Sequence, residues 1–60
     1  MNPGDLVRIR NFDNYFLAIY LGLEPEKVFA PWQFLIFGEI RGVNLDNKYV
    51  YSCEVVNEAR

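Results

Sequence analysis

Tyr15-Phe16-Leu17-Ala18-Ile19-Tyr20-Leu21 is the stretch that decides the fold class. Periodicity alone does not tell a short apolar run in a strand from one in a buried helix. Three features choose the strand. The run has strand length, it is rich in aromatic residues, and Gly22 stops it. Leu17, Ile19 and Leu21 form one purely aliphatic face, which is the expected core side. Phe16, Ala18 and Tyr20 form the opposite face, expected to point outward although it is not polar.

The flanking segments read the same way. Asn2-Pro3-Gly4-Asp5 is turn-forming, and Leu6-Val7-Arg8-Ile9-Arg10 then alternates apolar with basic residues. Val7 and Ile9 share one side and the two arginines the other, as in a half-buried strand. Asn11-Phe12-Asp13-Asn14 breaks that strand. On the far side, Gly22 to Lys27 reads as a loop, and Pro31 bars Val28 to Trp32 from a central strand. Gln33-Phe34-Leu35-Ile36-Phe37 is the third strand. Gly38-Glu39 fits a two-residue hairpin turn, which would set Phe37 opposite Ile40 and Phe34 opposite Val43. Leu45 is expected to tuck inward from a turn in Asn44-Leu45-Asp46-Asn47. Lys48 to Val56 holds the last strand, and Asn57 to Arg60 is a polar tail.

Five short strands with tight turns and no helical period describe an all-β chain. The expected architecture is a small five-stranded barrel formed as one domain over residues 1–60.

Sixty residues bury only about 60% of the surface that the unfolded chain exposes. Domains of this size usually gain support from disulfides, a metal or association. Cys53 is the single cysteine and histidine is absent, so neither an internal disulfide nor a four-ligand zinc site is available. Association remains. The ten aromatic residues exceed what so small an interior can hold with the aliphatics, so an exposed apolar patch is expected.

The same inventory excludes most chemistry. With no histidine or threonine, and with Ser52 the only serine, an activated nucleophile lacks its base. Cys53 in a strand reads as a small hydrophobe. Glu24 and Glu26 read as solvated loop charges, and Asp5, Asp13 and Asp46 are too dispersed for a calcium loop. The expectation is a non-enzymatic chain with no cofactor, metal or small-molecule substrate. A net charge of −2 weighs against nucleic acid, for which Arg8, Arg10 and Arg41 are the only clustered candidates. No apolar run reaches the roughly 20 residues of a membrane helix. The start of the chain has no signal-peptide character, which favours the cytosol.

The order of motifs resembles one group of proteins. Pro3-Gly4-Asp5-Leu6-Val7-Arg8-Ile9 is similar to the opening of many SH3-like barrels. With Ala18-Ile19-Tyr20-Leu21-Gly22, Gly38-Glu39-Ile40-Arg41 and Glu54-Val55-Val56-Asn57-Glu58, the plan resembles that of small proteins encoded by tailed bacteriophages, cyanophages among them. Asn44 to Ser52 is longer and more aromatic than the connection in that plan. The resemblance implies that the five-stranded barrel is SH3-like and that the chain is a viral protein acting in the cytoplasm of an infected host cell or carried in the virion, and it brings no activity with it. The surplus apolar surface and the missing catalytic inventory point to a protein-interaction module that binds a host or viral protein, or a second copy of itself; the alternative is a small structural virion protein, a decoration or joining component. By analogy with the ligand groove of SH3-like barrels, Phe12 and Tyr15 would form one wall and Trp32 the other, with Phe16 and Tyr20 adding an outer apolar face. The alternative is that Trp32 caps the barrel and Phe12 plugs its own loop.

Overall fold

The computed structural model describes residues 1–47 and 50–58. Lys48, Tyr49, Ala59 and Arg60 lie outside the described residues, and with them the expected start of the last strand and the end of the tail.

Five strands form: β1 (Leu6–Asn11), β2 (Asn14–Leu23), β3 (Trp32–Ile36), β4 (Glu39–Val43) and β5 (Tyr51–Asn57). They make one antiparallel sheet in the order β4-β3-β2-β1-β5, so β4 and β5 are its two edges. The all-β class is as expected, but the sheet is open rather than a closed barrel. Its Cα radius of gyration is 10.7 Å, close to the roughly 10 Å of a compact chain of this length.

One face of this sheet supplies the whole core. Val7 and Ile9 of β1, Ala18 and Tyr20 of β2, Phe34 and Ile36 of β3 and Val43 of β4 are buried together. Among the described residues no second layer covers them, so the sheet must curl over its own inner face. Phe16, Trp32, Leu45, Tyr51 and Cys53 pack around this cluster half-buried. Leu45 is thus tucked inward, from a turn closed by the Asn47 N–H donating to the Asn44 carbonyl (3.2 Å).

The face assignment of β2 is the main correction. Tyr20 is 6% exposed and Leu17 is 56% exposed, the reverse of the expected sides. Pairing with β1 explains it. Val7 lies opposite Ala18, Arg8 opposite Leu17, and Ile9 opposite Phe16. Directly opposed residues share a face. Arg8 and Arg10 must point to water, so Leu17 and Ile19 follow them outward and Phe16, Ala18 and Tyr20 go in. Strand β2 also runs further than expected, to Leu23, past a bulge between Tyr20 and Gly22.

Both hairpins are tighter or shifted relative to the sequence reading. Asn11 and Asn14 pair, leaving Phe12-Asp13 as the turn. The β3–β4 turn is Phe37-Gly38 rather than Gly38-Glu39, and Ile36 pairs with Glu39, Leu35 with Ile40 and Phe34 with Arg41. Both turn residues have positive φ, 51° and 79°, the type I′ pattern whose twist matches the strands. Gly38 meets that demand freely and Phe37 meets it under strain.

The loop from Glu24 to Pro31 is closed at its base by the Glu24 N–H donating to the Pro31 carbonyl (2.8 Å). It lays Ala30 on the outer side of β3 and β4, where the Gln33 amide donates to its carbonyl (2.8 Å). Gly42 sits beneath. A Cβ there would stand 2.6 Å from the Ala30 carbonyl oxygen. At the other end of the sheet, Gly4 donates to the Tyr20 carbonyl (2.7 Å) and Tyr20 to that of Asp5 (3.0 Å), extending the β1–β2 ladder. Asp5 is buried and accepts the Asn2 N–H through its carboxylate (2.7 Å).

Two stability outcomes follow. Gly42→Ala forces the Ala30 backbone away and is expected to cost about 1–3 kcal/mol, the range for overpacking, read from the urea midpoint. Phe37→Asn installs the Asn-Gly pair that type I′ turns favour. Phe37 is 86% exposed, so little burial is lost, and a gain of roughly 0.5–1 kcal/mol is expected from the same measurement.

Candidate interaction surface

The outer face of the sheet is built by register. Leu6 lies opposite Ile19, Ile19 opposite Leu35, and Leu35 opposite Ile40, which makes one apolar row across four strands. Leu17 joins the row as the outward neighbour of Ile19 along β2, and Leu21 is exposed beside them. Ile40, at the β4 end, is 69% exposed. The polar border is narrow. Arg8 forms an ion pair with Glu54, and the guanidinium carbons of Arg8 and Arg10 stand 5.6 and 5.7 Å from the Tyr15 ring centre. Such exposed pairs add little stability but hold the ring in place.

A groove of about 510 Å³ opens on the inner side, where the edges β4 and β5 fail to meet. Asn11, Phe16, Phe37, Arg41, Val43 and Tyr51 line it. The Phe16 and Phe37 rings are 6.3 Å apart in a tilted arrangement. At its rim Arg41 donates to Glu39 from Nη2 (2.6 Å) and Nε (3.2 Å), so the two charges satisfy each other. The Asn11 Oδ1 atom is buried with no hydrogen-bond partner among the described residues. A second hollow of about 490 Å³ is lined by Met1, Leu45, Tyr51 and Cys53 among others. There the Cys53 Sγ lies 3.5 Å from the Met1 Sδ.

The five residues singled out in the sequence do not form one site. Phe12 is exposed at the β1–β2 turn, with φ 55°, and Tyr15 is exposed nearby. Phe16 is half-buried beside Phe37. Tyr20 is buried, its ring 5.3 Å from that of Phe34 in the core, so it offers no outer surface. Trp32 is half-buried against the core and pairs with Leu23, at the opposite end of β2 from the Phe12 turn. It is therefore not the second wall of a groove with Phe12. The aromatic that faces that end is Phe37.

The sequence reading placed Leu17 and Ile19 on the core side and left Leu35 and Ile40 out of its binding residues, whereas Leu17, Leu35 and Ile40 are exposed and Ile19 is half-buried on the outer face. The arginines carried the missing signal. Any even-length turn between β1 and β2 that opposes Arg10 and Tyr15 also sets Arg8 against Leu17 and drives the aliphatic face outward.

The geometry defines a small all-β domain with an uncovered apolar sheet face and a groove between its two edges. Comparison of the chain with protein families, with curated proteins and with solved structures finds no match.

Burial pushes the Cys53 thiol above its ordinary range, opposed weakly by the nearby N-terminal amine. A raised thiol pKa means that the folded state holds its proton more tightly. That contribution is full below the unfolded thiol's pKa and is lost as pH rises through the folded one. A thiol reagent should accordingly label Cys53 more slowly in the native protein than in urea at pH 8, and the gap should narrow as the pH is raised further. Equal rates at pH 8 would refute this.

Proposed function

We propose that the chain is a non-enzymatic protein-interaction module that docks a protein partner on the outer face of its sheet. One observation carries the reading: the row Leu6, Ile19, Leu35 and Ile40, with Leu17 beside it, sets aliphatic side chains side by side on the outer face, with Leu17, Leu35 and Ile40 exposed and Leu6 and Ile19 half-buried. The core does not need them, since it is complete on the other side. Contiguous apolar surface of this kind marks interaction sites in soluble domains.

The phage-like order of motifs supports a viral origin, with the partner a host or viral protein met in the infected cell. Five short antiparallel strands in one curled sheet, with a groove where closure would fall, support the SH3-like barrel reading. The charge pattern disfavours nucleic acid. Arg8 is paired with Glu54 and Arg41 with Glu39, and Arg10 donates its Nε–H to the Phe12 carbonyl (2.8 Å). Phosphate binding would have to break those contacts first.

The double variant Leu17→Ser, Leu35→Ser tests the reading, since both side chains point outward and neither belongs to the buried core. The variant should keep the native circular dichroism spectrum and lose most of its binding of a hydrophobic-surface dye. Capture of a defined partner, identified by mass spectrometry from phage-infected cells, should weaken at least tenfold, or about 1.4 kcal/mol. A folded variant that captures the same partner undiminished would refute the outer face as the docking surface.

A further inference from the structure

The edge strand β4 carries a self-complementary pattern, and we propose that a second copy of this chain pairs with it, β4 against β4 in antiparallel fashion about a two-fold axis. This concerns the edge of the sheet and stands apart from the reading of its outer face.

The backbone supplies the first argument. In a two-residue hairpin the residues flanking the turn, Ile36 and Glu39, exchange hydrogen bonds, and the pattern then alternates. The N–H and C=O groups of Glu39, Arg41 and Val43 therefore point to β3. Those of Ile40 and Gly42 point away from the sheet, where no described strand receives them. Such an edge is a template for another strand.

The other edge is less suited. Strand β5 is interrupted by a bulge, where the register with β1 shifts between Leu6 and Val7. Bulges twist an edge away from further pairing. Strand β4 has five consecutive pairs in unbroken register with β3 and contains no proline.

The side chains supply the register. Centring the two-fold axis on Ile40 places Ile40 opposite Ile40 of the second copy, whose N–H and C=O groups then exchange two hydrogen bonds. Arg41 falls opposite Glu39 of the second copy, and Glu39 opposite its Arg41. The two opposite-charge pairs sit at non-hydrogen-bonded positions, where side chains approach most closely. Gly42 meets Gly38 of the second copy, so no side chain obstructs the ends. Moving the axis to Arg41 would oppose the two arginines, which is repulsive. Charge complementarity thus selects one register. In the single chain Glu39 and Arg41 already pair along the strand, which keeps the edge soluble until a second copy arrives. The pairing would also join the two outer rows through adjacent Ile40 side chains, giving one apolar stripe across eight strands.

Sedimentation equilibrium of the full chain over roughly 0.01–1 mM tests the proposal, since a contact this small is expected to be weak. The wild type should rise from 7.1 kDa toward twice that mass. Glu39→Arg alone and Arg41→Glu alone should remain at monomer mass, with unchanged circular dichroism. The reciprocal double swap, Glu39→Arg with Arg41→Glu, should restore the dimer, which loss of fold or of a generic charge would not explain. Ile40→Pro, which removes the outward N–H at an edge position that tolerates proline, should abolish it. A wild type that stays monomeric throughout overturns the proposal. So does a dimer that survives both single swaps. If that dimer is lost in the Leu17→Ser, Leu35→Ser variant, the contact lies on the outer face, and the earlier reading stands while this one falls.

Discussion

The register between β1 and β2 is the constraint from which the rest of the structure follows. Asn11 and Asn14 close the hairpin around Phe12-Asp13, and that count sets Arg8 opposite Leu17 and Val7 opposite Ala18. Two arginines on one strand face cannot be buried without partners, so their side becomes the outside. Every later strand inherits the decision. Tyr20 turns in and meets Phe34, Ile19 turns out and meets Leu35, and β4 is carried along by its own hairpin.

A single sheet that curls over its own inner face ends in two strands that do not meet, and the gap becomes a groove lined by Phe16, Phe37 and Tyr51 among others. On the outer side the loop before β3 crosses β4 closely enough to require a glycine, Gly42 beneath Ala30. Leu45, from the turn between β4 and β5, packs on the core and lines the second hollow. The open sheet and the small core are one fact, because five short strands close over only a few side chains.

The charges follow a similar economy. Arg8 with Glu54, Lys27 with Glu24, and Arg41 with Glu39 form pairs among the described residues. All three are exposed, so their worth lies less in stability than in keeping apolar surface and an open edge in solution. Beside its charged groups the molecule presents to its surroundings aliphatic surface on β2 to β4, a groove, and an edge strand whose outward backbone groups no described strand receives.

Much of this was legible in the residues. The run Tyr15 to Leu21, the alternation of Leu6 to Arg10, and the turn residues at Gly4-Asp5 and Gly38 are local signals, and they determined an all-β chain of five short strands. Composition determined that the interior was too small for all its apolar side chains. What a strand's own sequence does not state is which of two apolar faces turns inward, because Leu17-Ile19-Leu21 and Phe16-Ala18-Tyr20 are both apolar throughout. Only pairing settles that, since burial is decided by the neighbour across the ladder and β2 takes its sides from Arg8 and Arg10. The one-residue shift of the β3–β4 turn leaves every face unchanged, since Phe34 still shares its side with Arg41 and Val43, and it rests on the type I′ turn at Phe37-Gly38, which the strand pattern alone does not state. Tertiary structure likewise separated Trp32 from Phe12 and gathered Asn11, Phe37 and Tyr51 into one groove, since distance along the chain carries no information about which end of a long strand a residue will face.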